Sequence, residues 1–265
     1  MPKQITLEQQ LQKMRDEWDE RARENARFHV ATAQADWDDD AYFASGEDNV
    51  FHTVSTDPGN VYRGQDPKTM RVLEIGCGTG RITRALANLF GEVHAVDVSG
   101  EMIAQARIGL AGHPNAHVYQ NNGCDLSVVP PLEFDFAYSF IVFQHIPSYE
   151  VIESYVREVH RLLKPGGLFK FQVQGYVEEP PPAAAAQDTP DAPAPQIAPV
   201  PEDVDAAQAA HEAKALIDNI KPDDTWLGVT FSEALARKMA ERCGFEMRYG
   251  VGAGEQYYWL WFFKP

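Results

Sequence analysis

The segment Val72-Leu73-Glu74-Ile75-Gly76-Cys77-Gly78-Thr79-Gly80 constrains this chain more than any other. An apolar run of strand type passes into a loop with glycine at alternate positions. Residues 81–90 then carry Ile82, Leu86 and Leu89 at helical spacing. Glycine lets the backbone turn tightly and lets a ligand lie against the chain with no Cβ in the way. A second apolar run, 92–96, leads straight into an acid, Asp97, whose two oxygens can accept both hydroxyls of a ribose. Strand, glycine loop, helix, strand and acid together predict a nucleoside-binding α/β unit.

The alternation continues downstream. Residues 100–110 read as a helix, 116–120 as a weak third strand and 134–140 as a fourth strand apolar enough to lie centrally. Residues 149–163 read as a helix stopped by Pro165-Gly166-Gly167, and 168–173 as a fifth strand. Such alternation implies a mostly parallel sheet covered by helices on both faces. Upstream, Thr6 and Gln9 form a capping box for an amphipathic helix over 6–29. A short second helix is expected to start at Ser45-Gly46-Glu47, and 59–68 reads as a loop. Eight of the eighteen prolines fall between Pro180 and Pro201, so 177–201 is expected to be an extended linker, followed by a helix over 202–220. Thr230 and Glu233 form a capping box for a helix ending near Cys243-Gly244. Residues 246–251 and 256–263, joined by a glycine-rich turn, must pair as an antiparallel hairpin.

The nucleoside can be narrowed. A dinucleotide loop wants a third glycine where the helix packs on the strand, and that position is Arg81. Glu74 would oppose a pyrophosphate but suits a ligand bearing an ammonium and a sulfonium. The charge logic favours S-adenosylmethionine over NAD.

The stretch from Glu74 to about residue 175 resembles, in order, the motifs of class I S-adenosylmethionine-dependent methyltransferases of the small-molecule type. The resemblance implies a doubly wound, Rossmann-like, seven-stranded sheet with an antiparallel last strand. It implies a domain over 61–265 and an N-terminal helical lid over 1–60. It also assigns cofactor contacts: Glu74, Gly76, Cys77, Gly78 and Gly80 in the loop, Asp97 on the ribose, and Val98 and Met102 packing the adenine. Asn122-Gly123 would meet the adenine edge, and Ser139 and Phe140 would flank the methionine moiety. The family more often has an acid at the Asn122 position.

Ligands of open parallel sheets sit at the carboxyl ends of the strands. The acceptor is therefore expected among Trp18, Phe28, His29, Gln144, His145, Tyr176, Trp226 and Tyr257. His145 is the first candidate base and His29 the second, since an unperturbed imidazole titrates near neutrality. Amino-methylating nucleic-acid enzymes of similar fold carry an Asn/Asp-Pro-Pro-aromatic tetrapeptide after the fourth strand; here that place reads Ser139-Phe140-Ile141-Val142. The net charge of −16, from 23 basic and 39 acidic residues, also argues against nucleic acid as a partner. No apolar run is long enough to span a membrane. Three scattered cysteines give no disulfide or metal-ligand spacing and suit a cytoplasmic setting. The expectation is in-line methyl transfer to oxygen, nitrogen or carbon of a small molecule. An NAD-linked oxidoreductase and a non-catalytic S-adenosylmethionine-binding scaffold are the alternatives.

Overall fold

The computed structural model describes residues 6–146, 148–175 and 228–265. The expected linker and the helix over 202–220 lie outside the described residues, as do Tyr176 and Trp226. The parallel strands are β1 (Arg71–Ile75), β2 (Glu92–Asp97), β3 (Ala116–Gln120), β4 (Phe134–Ser139) and β5 (Leu163–Gly175). They continue with a two-residue β6 (Thr230–Phe231), then β7 (Glu246–Val251) and β8 (Tyr258–Phe263). Seven strands follow the order β3-β2-β1-β4-β5-β8-β7, with β6 paired to the end of β5. β8 runs antiparallel to both of its neighbours. The chain winds outward from β1 through β2 to β3, then returns to place β4 on the other side of β1. That reversal opens a crevice at the carboxyl ends of β1 and β4, where Ser139 Oγ donates to the Ile75 carbonyl at 2.9 Å.

Two cores cover the sheet. On one face Leu73, Ile75, Val96, Phe169 and Phe171 pack under α6 (Tyr149–Leu162) and α7 (Glu233–Arg242). On the other, Val72, Val93, Phe136 and Leu168 pack under α4 (Arg81–Leu89) and the segment around Val50 and Val54. α5 (Gly100–Gly109) follows β2, with the Ser99 side chain accepting from Met102 N–H as its cap.

The N-terminal elements differ in part from the sequence reading. α1 (Leu7–Val30) has the expected Thr6–Gln9 capping box, but Asn25 leaves helical geometry and kinks it. Asn25 Oδ1 accepts from Phe28 N–H at 3.1 Å, restarting the helix, while its Nδ2 donates to the Ala35 carbonyl at 3.0 Å. α2 (Asp39–Val50) begins well before Ser45, because Asp38 caps it through Ala41 N–H and two more acids occupy the first turn. A π-helical turn (Phe51–Ser55) continues from it. The expected loop 59–68 instead holds one helical turn, α3 (Pro58–Val61), and the start of a 3-10 turn (Pro67–Thr69). Near the C-terminus the cap of α7 is Ser232, not Thr230, which is drawn into β6.

One ion pair lies beside α3, its lysine buried and its aspartate partly exposed. Lys170 of β5, 4% exposed, donates to Asp57 Oδ2 at 3.0 Å and to the Thr53 carbonyl, and its ammonium lies 4.4 Å from the centre of the Trp261 ring. Trp261 Nε1 donates to the same Asp57 oxygen at 2.7 Å. Burial alone would raise the Asp57 pKa, but the hydrogen bonds from Trp261 and Lys170 outweigh it and hold it below its ordinary value. On Lys170, burial prevails and pulls the pKa down. Removing one member leaves the other without its partner, which is costly where the lysine is buried. Asp57→Ala should lower unfolding free energy by about 3 kcal/mol, and adding Lys170→Met should restore most of it, as read by urea denaturation. A depressed carboxyl stabilises above its unfolded-state pKa, so the Asp57 contribution should disappear as pH falls below about 4.

Candidate functional site

The crevice at the β1–β4 reversal widens into a cavity enclosing about 890 Å³ of empty space, part of it open to solvent. Its floor is the glycine loop. Gly76 and Gly78 have φ of +76° and +53°, in the left-handed region that ordinary side chains seldom adopt. The loop is pinned by Gly76 and Cys77 N–H groups donating to the Val96 carbonyl at 2.8 and 3.0 Å. Tyr42 of α2 braces it from outside, 2.6 Å from Thr79 Oγ1. Arg81 Nη1 binds Ser45 Oγ and Asn49 Oδ1 at 3.1 and 2.8 Å, so α2 and α4 are clamped together beside the cavity.

Two acids line this space. Asp97 Oδ2 accepts Gly78 N–H at 2.8 Å and Oδ1 accepts Ser99 N–H at 2.9 Å. Burial nevertheless pushes its pKa up to about 6, and the nearby Asp19 adds to the rise. Glu74, 3% exposed, accepts a hydrogen bond from Thr83 Oγ1 at 2.7 Å, and burial pushes its pKa up to about 7. Both carboxylates therefore favour a cationic or donor-rich ligand that would replace lost water.

The roof comes from α1 and from the loop after β4. Met14, Trp18, His29 and Val30 of α1 line the cavity, with Phe140, Ile141, Val142 and His145 opposite. Ile141 has φ +55°, an uncommon state for a β-branched residue, and its N–H donates to Gln172 Oε1 at 3.1 Å. That donor fixes the orientation of a chain of amides. Gln172 Nε2 must donate to Gln144 Oε1 (2.9 Å), which turns Gln144 Nε2 toward His145 Nε2 at 3.3 Å. An amide N–H only donates, so His145 Nε2 carries the lone pair. The Trp18 ring meets His145 edge-on at 5.5 Å.

Of the residues expected from the sequence, Glu74, Gly76, Cys77, Gly78, Asp97, Val98, Met102, Phe140, His145, His29 and Trp18 all line the cavity. Gly80 instead caps α4 with φ +86°, and Ser139 lies beneath, binding β1. Asn122 is turned away, accepting from Cys124 and Asp125 N–H groups, and Gly123 packs near Met14 and Leu11. Their neighbour Asn121 faces the cavity, because β3 ends one residue earlier, at Gln120 opposite Asp97. Phe28 stacks edge-on against His29, Gln144 lies behind His145, and Tyr257 is exposed near the hairpin turn; none of the three is in the cavity wall. Residues not anticipated are Val30 and Val142. A Cβ on Gly76 would stand 2.2 Å from Val142 Cγ2, and one on Gly78 would stand 2.8 Å from Val30 Cγ2. Their methyl groups lean over the glycine loop, and a ligand laid along that loop must displace them. No pattern at the loop signals this, since both come from distant segments.

Residues 72–167 match the family profile described as a methyltransferase domain. The chain is 35% identical over 103 residues to malonyl-[acyl-carrier protein] O-methyltransferase of Enterobacter lignolyticus, covering 38% of each protein. It is 33% identical over 98 residues to ubiquinone biosynthesis O-methyltransferase of Xanthomonas oryzae pv. oryzae, covering 37% of this chain and 40% of that one. The match thus spans about two fifths of these relatives' length. Among solved structures, phosphoethanolamine N-methyltransferase 1 of Haemonchus contortus superposes with a TM-score of 0.65 at 13% identity, over 98% of this chain and 50% of that one. Magnesium protoporphyrin IX methyltransferase of Synechocystis gives 0.59 at 13% identity over the whole of both chains. Residues 72–167, about a third of the chain, thus resemble a methyltransferase domain, and the fold around them is the one seen in these solved methyltransferase structures. No helix among the described residues is long and apolar enough to cross a membrane.

The raised pKa of Glu74 has a testable sign. A buried carboxylate whose folded pKa lies above its unfolded value of about 4.3 opposes folding when charged, so the ligand-free protein should gain stability as pH falls through about 7. Urea unfolding between pH 8 and pH 5 should show this gain reduced in Glu74→Gln. Superimposable profiles would show that Glu74 titrates normally.

Proposed function

We propose that the chain transfers the methyl group of S-adenosylmethionine to a small-molecule acceptor. The observation that carries this reading is the meeting, in one largely apolar cavity, of a glycine cradle without Cβ atoms and two carboxylates raised by burial. A diphosphate would face those carboxylates unfavourably, whereas a ligand with a ribose, an ammonium and a sulfonium would be held by them. Asp97 is read as holding the ribose, Glu74 as facing the ammonium end, and Val98 and Met102 as packing the adenine. Asn121 Oδ1, buried and without a hydrogen-bond partner among the described residues, suits an amino donor such as that of adenine. Phe140 is read as a wall for the methionine moiety, with Ser139 holding it from behind. Residues 1–60 are read as a lid on the domain 61–265.

Bound S-adenosylmethionine supplies a methyl group on a positively charged sulfur, which an acceptor displaces in line. The work left to the protein is orientation and exclusion of water, which can supply several kcal/mol. α1 and the loop after β4 provide both. His145 is read as the base because its ring lines the cavity; its Nε2 lone pair is met by the Gln144 amide, which must turn away before that nitrogen takes a proton. Two relatives are named O-methyltransferases, which supports oxygen as the methylated atom. The net charge of −16 supports a small molecule over nucleic acid.

Calorimetry should show binding of S-adenosylmethionine and none of NAD; the reverse would overturn the reading. Asp97→Ala should weaken S-adenosylmethionine binding by about tenfold or more, the loss of roughly 1.4 kcal/mol of charge-assisted hydrogen bonding. Because cation binding favours the charged carboxylates, affinity in the native protein should fall as pH drops from 8 to 6, and a flat profile would remove Glu74 and Asp97 from the site. His145→Ala should reduce turnover while sparing cofactor affinity. Full activity would remove it as base.

A further inference from the structure

At the opposite end of the sheet from the cavity, β2 and β3 bring together groups that the methyltransferase reading does not use. We propose that Glu92, His94 and His117 form a binding site for a first-row divalent ion of zinc type. The three ligand atoms all lie within 4.8 Å of one another. Glu92 Oε1 is 2.9 Å from His94 Nε2 and 3.7 Å from His117 Nε2. Ligands about 2.0 to 2.1 Å from a tetrahedral ion stand roughly 3.4 Å apart, so these separations bracket what an ion requires.

The strands fix this arrangement. Glu92 and His94 are two residues apart and therefore share a face, and His117 is directly paired with His94 in the ladder. A supporting layer is also present. Arg71 Nε donates to Glu92 Oε2 at 2.6 Å, which leaves Oε1 turned toward both imidazoles. His94 Nδ1 lies 3.0 Å from the Tyr119 hydroxyl. With no ion, the His94 Nε2–H donates to Glu92 and the Tyr119 hydroxyl donates to Nδ1. When an ion takes Nε2, the proton moves to Nδ1 and the hydroxyl turns to accept it, so the imidazole stays neutral and the supporting hydrogen bond survives. His94 is buried edge-on against Phe134, whereas His117 and Glu92 are partly exposed, which leaves an entrance and a fourth position for water. Two imidazoles and one carboxylate suit zinc, cobalt, nickel or copper and not magnesium or calcium. Two of the ligands stand two residues apart on β2 and the third joins them only across the strand pair, so no spacing along the sequence announces the set. An ion here would tie the edge strand β3 to β2.

The test uses the untagged full chain stripped by a chelator, with zinc added in a calorimeter and metal content measured after dialysis. One ion per chain is expected, with a rise in melting temperature. His117→Ala, on an exposed edge, should weaken binding by about 10- to 100-fold and abolish the thermal rise, as should Glu92→Gln. Circular dichroism of both variants checks that they fold, and cobalt substitution should give the intense visible bands of a four-coordinate ion. No zinc bound by the native chain, or undiminished affinity in either folded variant, would overturn the proposal.

Discussion

A single carboxylate joins three segments of this molecule. Asp97 accepts the Gly78 N–H on one oxygen and the Ser99 N–H on the other, so the loop after β1 and the start of α5 are set by the same side chain. Ser99 passes the connection on. Its hydroxyl caps α5 through Met102 N–H and donates to Asp19 of α1 at 2.5 Å, and Asp19 also accepts Glu101 N–H. The floor, one wall and the roof of the cavity are thereby held in register by charge-assisted hydrogen bonds, which are roughly twice as strong as neutral ones. The cost is a carboxylate kept where burial opposes its charge.

Much of the sheet was legible because its signals are local. β1, β2 and β4 are short apolar runs bounded by glycine or acid, and the hairpin of β7 and β8 follows from a turn too short for any other pairing. The glycine loop and Asp97 could be read for the same reason. Errors arose where a single side chain decides a boundary. Asp38 starts α2 early through its bond to Ala41, and beyond β3, which ends at Gln120 as expected, Asn121 lines the cavity while the Asn122 side chain turns back to cap its own loop. Val30 and Val142 could not be foreseen at all, since nothing near the loop names residues that approach it from α1 and from beyond β4.

The interior carries more polarity than its apolar strands suggest. In β5, Phe169, Phe171 and Val173 pack into one core, while Lys170 and Gln172 on the alternate face are buried too. Lys170 is neutralised by Asp57, and Gln172 is spent on orienting Ile141 and Gln144. Gln172 thereby helps to position the loop that lines the cavity, whereas Lys170 ties β5 to the segment that leads into α3.

The break at Asn25 has a geometric outcome. An unbroken helix of 24 residues would run about 36 Å and graze a compact cavity along one short stretch. Bending lets Met14 and Trp18 before the break, and His29 and Val30 after it, address the same enclosed space. A single element thereby walls the space on two sides, its second panel fixed by the two Asn25 amide bonds to the chain beyond the break and its first by Asp19.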